Sequence, residues 1–342
     1  MATFASRLGC LSQDDFGPMT LSAPPATVTL DSLRAAARVL DGVAVRTPLR
    51  DAPDLSARVG VPVALKCELL QPIGAFKIRG AYHALARLVG RGGAQGVVTA
   101  SSGNHGQALA FAARQFGLRA VVVMPESTPA VKVEGVRRHG GEVVLAGATR
   151  SVEQGARAEA IAREEDLALI PPFDHPDVIA GQGTIGLEIL EQRPETRTIL
   201  VPVSGGGLIS GISVAIAALA PTIEVIGVEP AGAAKLTAAL AAGEPQTLEH
   251  TESMADGLLS RSVGTLTFDL LRRVVREAVT VTEEEIAEGV RYLHQHAGLR
   301  AEPSGAVAVA ALLAGRVHPT GPTVAVVSGG NVDPDLYRRL VG

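Results

Sequence analysis

The chain has 342 residues, 46% of them hydrophobic but only 3% aromatic, with no Trp and a formal net charge of -4. That length can build a sizeable core in two domains, and its apolar residues, mostly Ala, Val and Leu, suit a helix-and-sheet protein rather than an all-β one. No basic stripe and no run near the roughly 18 apolar residues of a membrane span occur, so neither nucleic acid nor a membrane is an expected partner.

In chain order, residues 1–28 are expected to be a disordered tail, broken by Pro18, Pro24 and Pro25 and without the basic start and apolar run of a signal peptide. Residues 29–40 read as a capped helix and 61–68 as a strand. The loop Gln71-Pro72-Ile73-Gly74 then runs into a helical stretch reaching residue 88, which places Lys77 where loop becomes helix. From Gly96 the pattern alternates: strands at 97–100, 119–124 and 142–145, helices at 103–116, 129–139 and 151–165. It resumes after the Pro171-Pro172 pair, a plausible hinge, with a helix at 178–192, strands at 199–203 and 224–229, and a helix at 208–219 between those strands. Helices at 234–241, 265–276 and 283–296, a strand at 279–281, and elements at 304–313, 323–328 and 334–340 complete the reading. Alternation of this kind means βαβ units and a parallel sheet.

Four stretches carry chemistry. Lys77 lies between Phe76 and Ile78 with no acid beside it; most lysines are solvated surface charges, but an amine in apolar surroundings loses its proton readily, the condition for Schiff-base chemistry. Ser101-Ser102-Gly103-Asn104-His105 follows a strand and opens a helix, with more polar groups than an ordinary N-cap needs. Ser204-Gly205-Gly206-Gly207-Leu208 is a glycine turn between a buried strand and a helix, where free backbone N–H groups suit a phosphate. It lacks the Gly-Lys-Ser/Thr of a Walker loop, and Ser210 stands where the dinucleotide fingerprint needs glycine. Taken alone it also reads as a tight turn with no ligand. Ser328-Gly329-Gly330-Asn331 is a polar turn after a strand, the end at which α/β sheets place ligands. The two cysteines, Cys10 and Cys67, give neither a metal spacing nor a disulfide framework and fit a cytoplasmic protein. His294 and His296 point to different helix faces and read as surface residues.

Taken together, these stretches resemble the fold-type II pyridoxal-phosphate enzymes, most closely the serine/threonine dehydratase and serine racemase group. The resemblance runs from about Thr47 to Val341 and includes Ala180-Gly181-Gln182-Gly183-Thr184, Met254-Ala255-Asp256-Gly257 and Glu302-Pro303-Ser304-Gly305-Ala306. It implies an α/β architecture of two open twisted parallel-sheet domains, tryptophan synthase β-like: a large cofactor domain (29–92 and 173–342) and a small mobile one (93–172). It implies pyridoxal 5'-phosphate as cofactor, held by Lys77 with Phe76, Asn104, Gly205, Gly206, Gly207, Leu208, Glu302, Ser328 and Gly329 around it. Ser328 would face the pyridine nitrogen, and a neutral hydroxyl there makes a weaker electron sink suited to β-elimination. Ser101, Ser102, Gly103, Asn104 and His105 would take the substrate carboxylate, and Lys77 would remove the α-proton.

The implied reaction is dehydration and deamination of L-threonine or L-serine. The alternative is a serine or hydroxyaspartate racemase, or a 3-hydroxyaspartate ammonia-lyase, because Ser102 stands where racemases carry the second catalytic Ser. A β-replacement enzyme and a non-catalytic cofactor binder are weaker readings. The gating Arg of the racemases has no clear equivalent, with Arg150 and Val152 near its position. Of the racemase metal site only Glu229 and the Ala233 carbonyl match, and Lys235 falls where a second carboxylate would stand. No metal is therefore expected, the Lys235 ammonium replacing it. A homodimer is implied, as is insensitivity to isoleucine, since the chain ends soon after Asn331.

Overall fold

Ten short strands form two sheets in a computed structural model that describes residues 27–93, 95–148, 152–275 and 277–342. They are β1 (Leu49–Asp51), β2 (Val63–Cys67), β3 (Gly96–Ala100), β4 (Arg119–Met124), β5 (Glu142–Leu145), β6 (Ala168–Leu169), β7 (Thr198–Pro202), β8 (Glu224–Pro230), β9 (Glu277–Val281) and β10 (Thr323–Val327). A six-stranded sheet has the order β1-β2-β10-β7-β8-β9 and a four-stranded sheet the order β5-β4-β3-β6. Every pairing is parallel except the edge pair β1–β2. Parallel pairing is what the alternating pattern implied, and a division into two sheets is what the resemblance implied.

The central strands β2, β7 and β10 are buried along their whole length. Strands covered on both faces read as continuous apolar runs rather than alternating ones, which is why all three were visible in the sequence. Helix Leu30–Leu40 starts in a capping box between Thr29 and Ser32, and helix Glu283–Gln295 in one between Thr282 and Glu285. Val28 is buried beside Leu33, Ile179 and Ala215, so the packed chain begins inside the expected tail. The rest of that expectation, residues 1–26, lies outside the described residues.

Two differences from the sequence reading have local causes. The helix expected over 265–276 is Thr265–Leu271. Beyond it, Val274 N and Val275 N both donate to Leu271 O, a turn that puts Val275 into the core beside Phe268. Strands β1 and β6 were missed: at three and two residues they have no period of their own and exist through pairing with β2 and β3.

A cavity of about 460 Å³ lies between the sheets, at the carboxyl ends of β3, β4, β7 and β10. This is the end where parallel sheets gather ligands, because the glycine turns and helix N-termini all face that way.

Candidate active site

Lys77 is the first residue of helix Lys77–Gly90, and its Nζ donates to the Pro172 carbonyl at 2.7 Å. Desolvation alone pulls its pKa down from 10.5 to about 8. The loop before it is stitched to the turn after β10. Phe76 N donates to Ser328 O (3.1 Å), Gly330 N donates to Gly74 O (2.9 Å), and Ala75 bridges Gly329. The amine is therefore fixed relative to the end of a central strand, not carried on a free loop.

Glu302 and Asn104 meet over this seam. Asn331 Nδ2 donates to both Ile73 O and Asn104 Oδ1 at 2.8 Å, and Asn104 Nδ2 donates to Glu302 Oε1 at 2.6 Å. Burial raises the Glu302 pKa to about 7 against the opposing Asn104 hydrogen bond. Gly329 stands behind Glu302, and a Cβ there would lie 2.1 Å from Oε1. Gly329 is thus part of the support, while Ser328 lines the cavity. The Ser328 hydroxyl is 3.5 Å from Ser304 O, too long for a strong hydrogen bond, which leaves it available to a ligand.

The serine loop opens helix Asn104–Phe116 with Gly103 as N-cap. The cap is made by Ser101, whose Oγ accepts from Gly106 N (3.2 Å) and Gly103 N (3.4 Å). Capping accounts for one of the two serines; Ser102 lines the cavity. His105 lines it too, but its Nε2 faces Ile170 O at 3.1 Å, and burial, with Lys77 nearby, lowers its pKa to about 3. The ring is neutral, so any help it gives an anion comes from an N–H dipole and not from charge.

The glycine turn runs from β7 into helix Gly207–Leu219, whose N-cap Gly206 has φ +95° and no side-chain cap. Its first N–H groups have no intrahelical acceptor. Gly205 lies under Phe173, where a Cβ would come within 2.3 Å of the ring. Ser210 donates back to Gly206 O (2.7 Å) and Thr267 O (3.0 Å), so it braces the turn where a dinucleotide site would need bare backbone. Thr267 Oγ1 donates to Gly205 O (2.8 Å), and Asp174 holds Thr267 N (3.0 Å). Sequence reasoning missed Thr267 and Asp174, since neither sits in a glycine-rich or hydroxyl-rich run. It also missed Lys132 and Asp256 as an ion pair at the cavity mouth. Arg150 lies outside the described residues; Val152 is exposed on the cavity rim. Glu229 and Ala233 are buried away from the cavity lining.

An uncapped helix N-terminus, a desolvated amine and a hydroxyl-rich loop around one cavity fit an aldehyde cofactor bearing a phosphate. The chain belongs to the family of pyridoxal-phosphate-dependent enzymes, which matches residues 40–329. Within it, the L-threonine ammonia-lyase of Thermotoga maritima is 42% identical over 315 residues, covering 92% of this chain and 78% of that protein. Maize serine racemase superposes with a TM-score of 0.88 at 36% identity, covering 92% of this chain and 97% of that one. For the processed form of threonine deaminase isoform 2 from Solanum lycopersicum the TM-score is 0.84 at 36% identity, covering 93% of this chain and 89% of that one. Family and fold are those the motifs implied.

Proposed function

We propose that the protein is an ammonia-lyase that converts L-threonine or L-serine into an α-keto acid and ammonia. The observation that carries this reading is the desolvated Lys77 amine, facing one cavity with an uncapped glycine turn and a hydroxyl-rich loop. Likeness to a protein named L-threonine ammonia-lyase supports the substrate class.

Pyridoxal phosphate, when bound, supplies the electron sink that acidifies the α-C–H of an attached amino acid. The remaining work falls to the chain. Lys77 would hold the cofactor through its amine and would serve as the base that takes the α-proton at Nζ. An amine with a pKa of about 8 is well matched to that task near neutral pH. Backbone N–H groups of the turn from Gly205 to Leu208 would hold the phosphate. Asn104, pinned by Asn331 and Glu302, would orient the ring hydroxyl, Phe76 would pack beside the ring, and Ser328 would meet the pyridine nitrogen without a charge. The substrate carboxylate docks on the turn at Ser101, Ser102, Gly103, Asn104 and His105. Loss of the β-hydroxyl as water, then hydrolysis of the enamine, yields the keto acid and ammonia. Residues 93–172 close over the cavity as a small unit and exclude water.

Ser102 supports a second reading, a racemase, in which its hydroxyl serves the face of the α-carbon opposite Lys77; likeness to a serine racemase supports it too. A homodimer and a cytoplasmic location belong to the same proposal, resting on the family resemblance and the cysteine usage; light scattering tests the first.

The test is keto-acid release from L-threonine, L-serine, D-serine and 3-hydroxyaspartate isomers. Release from L-threonine or L-serine is expected, and Lys77→Ala should lower it by at least about 10²–10⁴-fold, the span for loss of a general base. No release with a changed enantiomer ratio would replace the lyase by the racemase.

A further inference from the structure

Lys235 and Glu229 are both fully buried outside the cavity wall. The Lys235 ammonium has four oxygen neighbours: Ala233 O at 2.8 Å, Leu258 O at 2.9 Å, Val203 O at 3.1 Å and Glu229 Oε1 at 3.3 Å. The Glu229 carboxylate is completed by Leu236 N on Oε1 (2.8 Å) and by Thr237 N and Oγ1 on Oε2 (2.9 and 3.0 Å). Burial works against the ammonium and Glu229 favours it.

A buried ion pair does not by itself justify its desolvation, and a simple Lys–Glu contact needs no ring of carbonyls. Here the carbonyls come from three separate segments. Val203 is two residues before Gly205, Leu258 lines the cavity, and Ala233 precedes helix Lys235–Ala242. Oxygens at 2.8–3.3 Å around one positive centre form a cation site whose cation is tethered. Those distances exceed the roughly 2.3–2.6 Å of Ca²⁺ and about 2.0–2.1 Å of Mg²⁺. They suit an ammonium or an ion of similar size.

We propose that Lys235 is a built-in monovalent cation that locks the glycine turn to the cavity wall, and that removing it leaves a site which a soluble monovalent cation refills. Lys235 is thus a positioning residue. The link to the turn rests on the cofactor placement proposed above.

The test compares Lys235→Ala and wild-type holoenzymes in ammonium, potassium and choline chloride at equal ionic strength. The readouts are melting temperature, cofactor absorbance retained after gel filtration, and keto-acid release. In choline chloride the variant is expected to melt lower and to lose cofactor, with both recovered in ammonium or potassium chloride. Wild type should be alike in all three salts. Lys235→Met, which fills the space without charge, should not be rescued. A variant indifferent to the salt, unfolded in every salt, or matched by equal rescue of the Met variant overturns the proposal, as does activation of wild type by potassium. Recovery of melting temperature with cofactor retention unchanged throughout overturns the link to the turn. Recovery of both without keto-acid release from any substrate defeats the lyase reading and leaves the cation site standing.

Discussion

Glu302, a residue only 5% exposed, lines the cavity beside Asn104. Burial raises its pKa from 4.5 to about 7, so between those values the unfolded chain releases a proton that the folded chain keeps. The stability this group contributes is whole below about pH 4.5 and is lost as pH rises toward 7. In cofactor-free protein the loss should be on the order of 3 kcal/mol, at about 1.36 kcal/mol for each tenfold change in proton affinity. Glu302→Gln is expected to remove that slope, measured as the difference between wild-type and variant urea-unfolding free energies from pH 5 to 8. Parallel pH profiles would contradict it. Lys77 and Ser102, which both line the cavity, stood out in the sequence because each lies in a short run with its own chemistry. The Asn104–Glu302 and Asn104–Asn331 contacts were not, because their partners are 198 and 227 residues apart and only the meeting of strand ends creates them.

Among the elements, the glycine turn under Phe173 has no room for a single added methyl group. Gly205→Ala would drive its Cβ into the ring of Phe173. Overpacking of this kind costs about 1–3 kcal/mol, which is expected to weaken cofactor binding by tenfold or more. Titration of the apoenzyme with pyridoxal phosphate checks this, and unchanged affinity would mean the turn does not hold the phosphate. Helix Lys77–Gly90 is anchored two residues past Lys77. The Arg79 guanidinium forks onto Glu68 (both bonds 2.8 Å) and also grips Glu188 (2.6 and 3.0 Å), while Lys66 reaches Glu188 at 2.5 Å. Arg79→Met leaves the fully buried Glu68 carboxylate without this counter-ion, and a loss of about 3–5 kcal/mol in urea unfolding is expected. A loss under about 1 kcal/mol would show that the carboxylates find other partners. Local sequence gives no sign of this four-charge cluster, because its members come from β2, the helices starting at Glu68 and Lys77, and helix Pro176–Gln192. Most helix and strand positions, by contrast, were readable, since glycine and proline punctuate many junctions; the short strands β1 and β6 and helix Pro53–Val59 were not.

Across the whole molecule, the cavity mouth is spanned by the ion pair of Lys132 and Asp256. Lys132 rides on helix Ala130–Arg138, between β4 and β5 of the four-stranded sheet, while Asp256 belongs to a turn between β8 and β9 of the six-stranded sheet. If the small unit closes over substrate, this pair is its clasp. Lys132→Asp is expected to lower kcat/KM, and the exchange Lys132→Asp with Asp256→Lys to recover part of the loss. A coupling of about 0.5–1 kcal/mol suits a partly exposed pair. Strictly additive losses in the double-mutant cycle would dismiss the clasp. Which residues face one another across the mouth was not readable, because it depends on how the two sheets sit.

The position of β10 has a consequence for the order in which the protein is made. This strand comes late in the chain, at Thr323–Val327, yet it lies inside the six-stranded sheet between β2 and β7. The four-stranded sheet uses strands drawn from residues 96–169 alone and can assemble early on the ribosome. The seam that fixes Lys77 has to wait for Ser328 and Gly330 to emerge. A nascent chain stalled before residue 323 should therefore protect the smaller sheet from protease while β2 and β7 stay unjoined, so that Lys77 is among the first reactive groups synthesised and among the last to be set in place.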